Sequence, residues 1–272
     1  MRRHLALPTR GVALVSTDLH GNLDDFRALE RAFAALGPDA HWVILGDLVH
    51  APDAASRRDD PALYDYDDGS MAIVDGVIAW RRAAPGRVHL VLGNHDHGHV
   101  GGARTRKFHG DEVEALESTL TPDEVARLRG LFSEALLAVV APSGALLTHG
   151  SPDASLVDLA DLDVPSLAIE SLDGRRRDVL RAVLTAYGQT DDVTRAMLTA
   201  VSRRGGWDMR VVIHGHDRDV AGFFVEGETQ LCPVIFGAPR EAKRYVVLDL
   251  AGRYDAVAAL RDGAEIRRLH MG

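Results

Sequence analysis

The chain has little cysteine, little lysine and no apolar run long enough to span a membrane. Its single cysteine, Cys232, lies inside an apolar stretch, which predicts a buried structural thiol and excludes an internal disulfide. The basic start of the chain is followed by an apolar segment that stops at Pro8, so we expect no secretory signal and a cytoplasmic protein. The net charge of −9 disfavours nucleic acid and anionic membranes as partners.

What the sequence does contain is five short apolar runs, each followed by Asp, Asn or His. Such runs are typical of buried strands, and α/β proteins bind ligands beyond the carboxyl ends of their strands. The pattern therefore predicts a metal site. The runs and the residues that follow them are 12–16 with Asp18 and His20, 42–45 with Asp47, 88–92 with Asn94, His95 and Asp96, 145–148 with His149, and 210–213 with His214 and His216.

The kinds of donor at these strand ends limit the metal. Carboxylates, imidazoles and one amide suit Mn, Fe or Zn better than Ca or Mg, because imidazole prefers borderline metals. No thiolate is present among them, which excludes a structural zinc site built on cysteine.

The order of these motifs resembles the calcineurin-like metallophosphoesterases. The motifs that carry the resemblance are Asp18-x-His20, Gly46-Asp47, Gly93-Asn94-His95-Asp96, His149-Gly150 and Gly215-His216. The stretches 222–225, 230–239 and 245–249 further resemble the closing part of the Ser/Thr phosphoprotein phosphatase branch. In all, the likeness covers 11–100, 136–152 and 210–250. It implies two mixed β-sheets packed as a sandwich and flanked by helices, in four layers α/β/β/α, whereas periodicity alone indicates only an α/β protein.

The resemblance also implies a dinuclear centre with two divalent ions, Mn being favoured and Fe or Zn the alternatives. A hydroxide bridging the two ions would attack phosphorus, and His95 would protonate the leaving oxygen as a general acid. Asp96, where the branch has Glu, is a second catalytic candidate. The ligands implied are Asp18 and His20 for one ion, Asp47 as the bridge, and Asn94, His149 and His216 for the other ion.

One part of the chain departs from the phosphatase branch. The branch has an Asp three residues after the bridging Asp, followed by Arg and Gly, and here that position is His50, followed by Ala51 and Pro52. The family Asp orients the acid histidine and the Arg binds phosphate. This leaves open whether Asp96 or another carboxylate orients His95, and the sequence identifies no substrate-binding residue.

The rest of the chain predicts one domain over residues 1–272. Asn22 and Thr121 are expected to cap helices that end near 36 and 132–133, and 71–83 to form a third helix. The segments 51–69 and 98–110 are expected to be loops, and 136–140 with 145–148 a hairpin. Residues 249–253 are expected to form a hairpin turn and 264–269 an edge strand. The stretch 153–206, with Thr190 as a cap, is expected to be a helical insertion that sets substrate choice.

The expected function is a phosphomonoesterase similar to Ser/Thr protein phosphatases, acting on a phosphoprotein or a small phosphate ester. A nucleotide or dinucleoside-polyphosphate hydrolase, or a metal-binding module with little turnover, are the alternatives. Alternation along the strand disfavours His214 as a ligand. His97 and His99 are expected to be solvated loop residues. The arginine clusters at 57–58, 175–177 and 203–204 are expected to be solvated basic patches.

Overall fold

A computed structural model describes residues 1–270, which contain two mixed β-sheets. In the first sheet three strands run parallel and the two others complete it antiparallel. The strand order is β11-β10-β2-β3-β4. With strands numbered along the chain, these are β2 (Val12–Ser16), β3 (Ala40–Ile44), β4 (Val88–Leu90), β10 (Arg244–Asp249) and β11 (Ile266–Arg268).

The second sheet has the strand order β1-β5-β6-β7-β9-β8. It contains the predicted hairpin, in which β5 pairs antiparallel with β6, and β6 continues into a parallel pair with β7. The first strand was not predicted, because three residues before Pro8 are too few for a pattern to register. The strands are β1 (His4–Ala6), β5 (Ala138–Ala141), β6 (Ala145–Leu147), β7 (Val211–Ile213), β8 (Phe223–Glu226) and β9 (Gln230–Pro233).

The helices follow the predicted pattern where the apolar period is clear. Asn22 accepts a hydrogen bond from the amide of Asp25, and Thr121 forms a capping box with Glu124, so both predicted helix starts are confirmed. The helices are α1 (Leu23–Ala35), α2 (Ala54–Asp59), α3 (Pro61–Tyr64), α4 (Ser70–Ala83), α5 (Asn94–His97), α6 (Glu112–Glu117), α7 (Pro122–Ser133), α8 (Gly174–Thr185) and α9 (Asp191–Gly205).

A buried apolar core joins the two sheets. Ala13 and Val15 of β2 belong to it together with Val139 and Leu147 of the second sheet, whereas the intervening Leu14 faces the outer core under the helices. This alternation is what a strand with both faces covered requires. The architecture confirms the predicted sandwich of two mixed sheets flanked by helices.

Three local predictions need correction. Residues 51–69 contain α2 and α3 rather than a plain loop, because Asp53 caps α2 and Pro61 begins α3 while neither helix buries a residue that would give a period. Residues 249–253 do turn, but the chain reaches the paired strand β11 only at Ile266. Thr190 stands at the cap position of α9 without a capping side-chain hydrogen bond.

The helical stretch 153–206 is confirmed as helical and is part of the core. Val183 of α8 and Leu198 of α9 share an apolar cluster with Leu146 of β6 and Val212 of β7. Cys232 is buried and free, as predicted. Within residues 1–270, no helix combines the length and the apolar character needed to cross a membrane.

Candidate metal centre

The six residues predicted as metal ligands lie together, beyond the ends of β2, β3, β4, β6 and β7. Two sheets contribute, because β2, β3 and β4 belong to the first sheet and β6 and β7 to the second. Four of the six side chains are buried and the other two are half-buried. The buried residues are Asp18, His20, Asp47 and His149, and the half-buried ones are Asn94 and His216.

Asp47 lies at the centre of this cluster. Its Oδ2 is 3.6 Å from Nε2 of His20 on one side and 3.5 Å from Nε2 of His149 on the other. Donor atoms of His20, Asp47 and His95 lie within 4.8 Å of one another, and so do those of Asp47, His149 and His216. One carboxylate is therefore shared between two groups of metal-binding side chains.

Asn94 and Asp18 complete the cluster. The Oδ1 atom of Asn94 lies 2.9 Å from Nε2 of His149 and 2.9 Å from Nδ1 of His216. Oδ2 of Asp18 accepts a hydrogen bond from the amide of His216, at 3.0 Å, and one from the hydroxyl of Thr17. Burial raises the pKa of Asp18 to about 7, against the lowering effect of His149.

The backbone at these residues is in an unusual conformation. Within residues 1–270, the non-glycine residues with positive φ are Asp18 at 40°, His20 at 43°, Asp47 at 51° and His216 at 71°. This left-handed region costs a residue with a Cβ roughly 1–3 kcal/mol, and such residues cluster at functional sites. Gly93 is also required here, because a Cβ at this position would collide with the backbone of Asp47.

The histidines of the cluster are oriented by backbone carbonyls. Nδ1 of His149 lies 2.6 Å from the carbonyl oxygen of Leu45, and Nδ1 of His20 lies 3.3 Å from that of His50. A histidine that donates one ring N–H to a carbonyl presents the lone pair of its other nitrogen, which is the usual arrangement of a metal ligand. The donor set and its orientation fit divalent metal ions.

The predicted acid, His95, lies at the edge of the cluster and is 5% exposed. Its amide donates to Oδ1 of Asp47 at 2.9 Å. Its Nδ1 lies 3.2 Å from Oε2 of Glu112 and 3.3 Å from Nδ1 of His50. Burial is the largest single influence and raises the pKa of Glu112, but His95, Thr105 and the amide of Phe108 together lower it to about 2. Sequence reasoning missed Glu112, which begins a six-residue helix outside every motif.

Asp96 is held differently from the way its predicted role suggests. Its two carboxylate oxygens accept hydrogen bonds from the amides of Leu48, at 2.9 Å, and Gly93, at 3.2 Å. It is fully buried, and the carboxylate beside the ring of His95 is that of Glu112. Asp96 thus joins the loops after β3 and β4.

The prediction that His97 and His99 are solvated is wrong, because both are buried. Nε2 of His97 lies 2.7 Å from the carbonyl oxygen of Leu167. His99 bridges His50, at 2.8 Å, and Glu117, at 2.9 Å. Since these partners come from distant segments, the local sequence could not show them. His214 is buried with its Nδ1 against the carbonyl of Gly215 and does not join the ligand cluster.

A cleft of about 330 Å³ opens over the ligand cluster and is lined by three cations, Arg106, Lys107 and Arg218. Lys107 is exposed, yet its ammonium lies 4.2 Å from the ring centre of Phe236. Burial of the ammonium, followed by the charge of Arg218, lowers its pKa to about 8. The segment 98–110 was predicted as a loop and its role in the cleft was missed.

The helical stretch reaches the same cleft through Tyr187. Its ring lies 4.8 Å from the ring of His216, and the residue is 64% exposed. A second cavity of about 240 Å³ adjoins Asn94 and is lined by α8, with apolar Leu180 and Leu184 and the cations Arg177 and Arg181. Of the other predicted arginine patches, Arg58, Arg203 and Arg204 are exposed, whereas Arg57 is half-buried and pairs with Asp67.

A cluster of metal-binding side chains under a cationic cleft, on a sandwich of two mixed sheets, is typical of a metal-dependent hydrolase of phosphate esters. The sequence profile of the calcineurin-like phosphoesterases matches residues 12–217, which is most of the chain. The chain belongs to this family.

Solved structures of low sequence identity share the fold. A serine/threonine protein phosphatase from Saccharomyces cerevisiae has a TM-score of 0.61 and 15% identity, over 90% of this chain and 76% of that chain. A cold-active protein-tyrosine phosphatase from a psychrophilic Shewanella has a TM-score of 0.59 and 15% identity, over 94% of this chain and 81% of that chain. Comparison with curated protein sequences finds no match.

Proposed function

We propose that this protein is a dinuclear metal-dependent phosphomonoesterase, and that residues 1–272 form one domain around its metal centre. The observation that carries the proposal is the position of Asp47, which is shared by two groups of metal-binding side chains. Two ions held in this way supply an activated water and bind the phosphate oxygens when they are present.

The chain's own residues divide into two ligand sets. Asp18, His20 and Asp47 hold one ion, and Asp47 with Asn94, His149 and His216 holds the other. Mn is the favoured metal, with Fe or Zn as alternatives, because carboxylate, imidazole and amide donors are mixed without a thiolate.

His95 protonates the leaving oxygen in this proposal, and Glu112 positions it. The support is the contact between the Glu112 carboxylate and Nδ1 of His95, 3.2 Å long and fully buried. A carboxylate in ionic contact with a ring nitrogen stabilises the charge of an imidazolium, which is what a general acid requires. The carboxylate that the phosphatase branch has at the position of His50 is thus replaced from α6.

The substrate's phosphate is bound by the three cations of the cleft, Arg106, Lys107 and Arg218. The group carrying that phosphate lies toward the helical stretch 153–206, which supplies Tyr187 and the apolar cavity along α8. That cavity favours a second candidate function, hydrolysis of nucleotides or dinucleoside polyphosphates, because apolar walls with two arginines suit a base next to further phosphates.

The test begins with metal-free protein to which Mn, Fe or Zn is returned. Turnover of an activated aryl phosphate, dependent on metal, is the expected result. A comparison of the rates with phosphopeptides, mononucleotides and dinucleoside polyphosphates then separates the two candidate functions. Absence of turnover with all three metals at saturation contradicts the proposal and leaves a metal-binding module.

A further inference from the structure

Behind His95, on the side away from the ligand cluster, three more metal-binding atoms face one another. Nδ1 of His95 lies 3.3 Å from Nδ1 of His50 and 3.2 Å from Oε2 of Glu112. Nδ1 of His50 lies 3.9 Å from the same Oε2. All three residues are buried. A tetrahedral ion with bonds of about 2.0–2.1 Å places its donor atoms about 3.3–3.4 Å apart, close to the spacing seen here.

The outer contacts of His50 fix which nitrogen faces this cluster with a lone pair. Arg129 donates two hydrogen bonds to Glu117, at 2.9 and 2.5 Å, so that carboxylate is ionised and accepts the Nδ1 proton of His99 at 2.9 Å. The Nε2 lone pair of His99 then accepts the Nε2 proton of His50 at 2.8 Å. Both rings are buried, which favours their neutral forms. Nδ1 of His50 then has a lone pair that faces Nδ1 of His95 at 3.3 Å, with Oε2 of Glu112 3.9 Å away.

Glu112 contributes a second acceptor at the same point. Its Oε1 accepts the amide proton of Phe108 at 3.0 Å. Its Oε2 is buried and has no hydrogen-bond partner among the described residues, since Nδ1 of His95 is near it but not aligned for a hydrogen bond. A buried carboxylate oxygen without a partner is costly. Nδ1 of His95 can donate its one proton to only one of these two acceptors, whereas a cation bound by all three atoms satisfies both.

The cluster borders a cavity other than the substrate cleft. A cavity of about 270 Å³ is lined by His50 and Glu112 together with Asp53 and Asp68. The cleft over the dinuclear centre is lined by His95 but not by His50 or Glu112. This cavity borders His50 and Glu112, includes two further carboxylates and shares no lining residue with the substrate cleft.

We propose that His50, His95 and Glu112 form a third cation site, separate from the dinuclear centre, for zinc or another borderline divalent ion. Two imidazoles and one carboxylate are a frequent donor set for zinc with an open fourth position. The chain from His50 through His99 to Glu117 is the outer support such a site needs.

Occupation of this site has a chemical consequence that rests on the proposed function. A His95 ring whose Nδ1 is coordinated cannot also carry a proton there, so it cannot act as a cationic acid toward the leaving oxygen. Excess zinc should then inhibit the hydrolysis of alkyl phosphates. The largest expected inhibition is the contribution of general-acid catalysis, about 10²- to 10⁴-fold. Activated aryl phosphates, which leave without an acid, should be inhibited much less.

The site is tested by titrating metal-free protein with Co²⁺, which reports its coordination in the visible spectrum, and counting bound ions by elemental analysis. We expect three ions in the wild type and two in Glu112→Gln and in His50→Asn. His109→Asn removes a histidine that lines the same cavity outside the cluster, and it should keep three. Equal numbers of ions in the wild type and Glu112→Gln would overturn the third site.

The count also separates this inference from the proposed function. One ion in the wild type and none in Glu112→Gln would support the third site and contradict the dinuclear centre. If the variants fold poorly, anomalous diffraction from zinc-soaked wild-type crystals decides. A peak between His50 and Glu112 supports the site, and its absence when both dinuclear positions are occupied overturns it.

Discussion

The two sides of His95 are built in different ways. On the side facing the metal centre, each polar residue follows the end of a strand, and four of them have a left-handed backbone. On the opposite side, His50 meets His99 from the turn after α5 and Glu112 from α6, which lie far apart in sequence. The first side combines the carboxylates of Asp18 and Asp47 with three histidines. On the second side His50 contacts Glu112 directly and Glu117 through His99.

This difference indicates that the positions of the side chains are constrained to different degrees on the two sides. Ligands of a metal pair must converge within a few ångströms, and strand ends in adjacent sheets bring them there with little freedom. The support of an acid histidine needs only one carboxylate at hydrogen-bonding distance, and any nearby segment can supply it. In the proposed mechanism Glu112 of α6 supplies it, and His50 stands where the phosphatase branch has an Asp.

The largest effect should come from the metal-facing side. Asp47→Asn removes the one carboxylate shared by both ligand groups. We expect the wild type to bind two metal ions per chain when the third site is empty, and the variant to lose them. Turnover of alkyl and aryl phosphates should fall together, by more than the about 10⁴-fold upper range of general-acid catalysis. Elemental analysis beside kinetics checks this, and a variant that keeps two ions and full activity would contradict it.

His95 itself stands between the two sides, and its removal should depend on the leaving group. His95→Asn should lower turnover of an alkyl ester such as phosphoserine by about 10²- to 10⁴-fold. Activated aryl esters should lose much less, because their leaving oxygen needs no proton. Rates on a series of esters with graded leaving groups measure this. A uniform loss across the series would remove His95 from the acid role.

The metal-facing side was largely readable from the sequence. The strands β2, β3, β4, β6 and β7 are short apolar runs in the sequence, and the donor residues follow them directly. The predicted ligands could therefore be found from their place in the sequence alone. The sandwich was implied by the resemblance and is confirmed. The turn conformations of Asp18, His20 and Asp47 could not be read, because a residue with positive φ has no sequence signature unless it is glycine.

The opposite side could not be read, because its contacts are tertiary. Nothing near Glu112 marks it as a partner of His95, since α6 has six residues and no motif. His99 was expected in solvent, and its burial follows from packing against Phe132 of α7, whose ring centre is 5.9 Å from its own. Lys107 lies in the cleft because of the course of a loop, and the course of a loop cannot be predicted from sequence patterns.

The two carboxylates near His95 should differ in what changes when their charge is removed. Glu112→Gln keeps the hydrogen bond from Phe108 but removes the charge beside Nδ1, and it should lower alkyl-ester turnover by about 10- to 100-fold, as loss of an orienting partner commonly does. Asp96→Asn should instead lower the free energy of unfolding by about 1–3 kcal/mol, because one of two buried amides loses its acceptor.

Urea unfolding and the ratio of alkyl to aryl rates, both at two metal equivalents, distinguish these variants. A selective loss of alkyl turnover in Asp96→Asn, with unchanged stability, would restore Asp96 to the catalytic role that the sequence suggested. It would also remove Glu112 from the positioning role.

The smallest effect concerns Lys107, which lies on the metal-facing side but was supplied by a loop. Its pKa is lowered from 10.5 to about 8, by burial of the ammonium and then by Arg218, so the ammonium is present below pH 8 and is lost as pH rises through that value. If the ammonium binds the substrate's phosphate, kcat/KM should fall above pH 8 by roughly tenfold, the low end for a hydrogen bond to a charged group, because Lys107 is exposed. Lys107→Arg keeps its charge to high pH and should abolish this fall, whereas Lys107→Met should show the reduced value at every pH. A wild type and a Lys107→Arg variant with superimposable pH profiles would show that Lys107 does not bind the phosphate, and would assign that role to Arg106 and Arg218 alone.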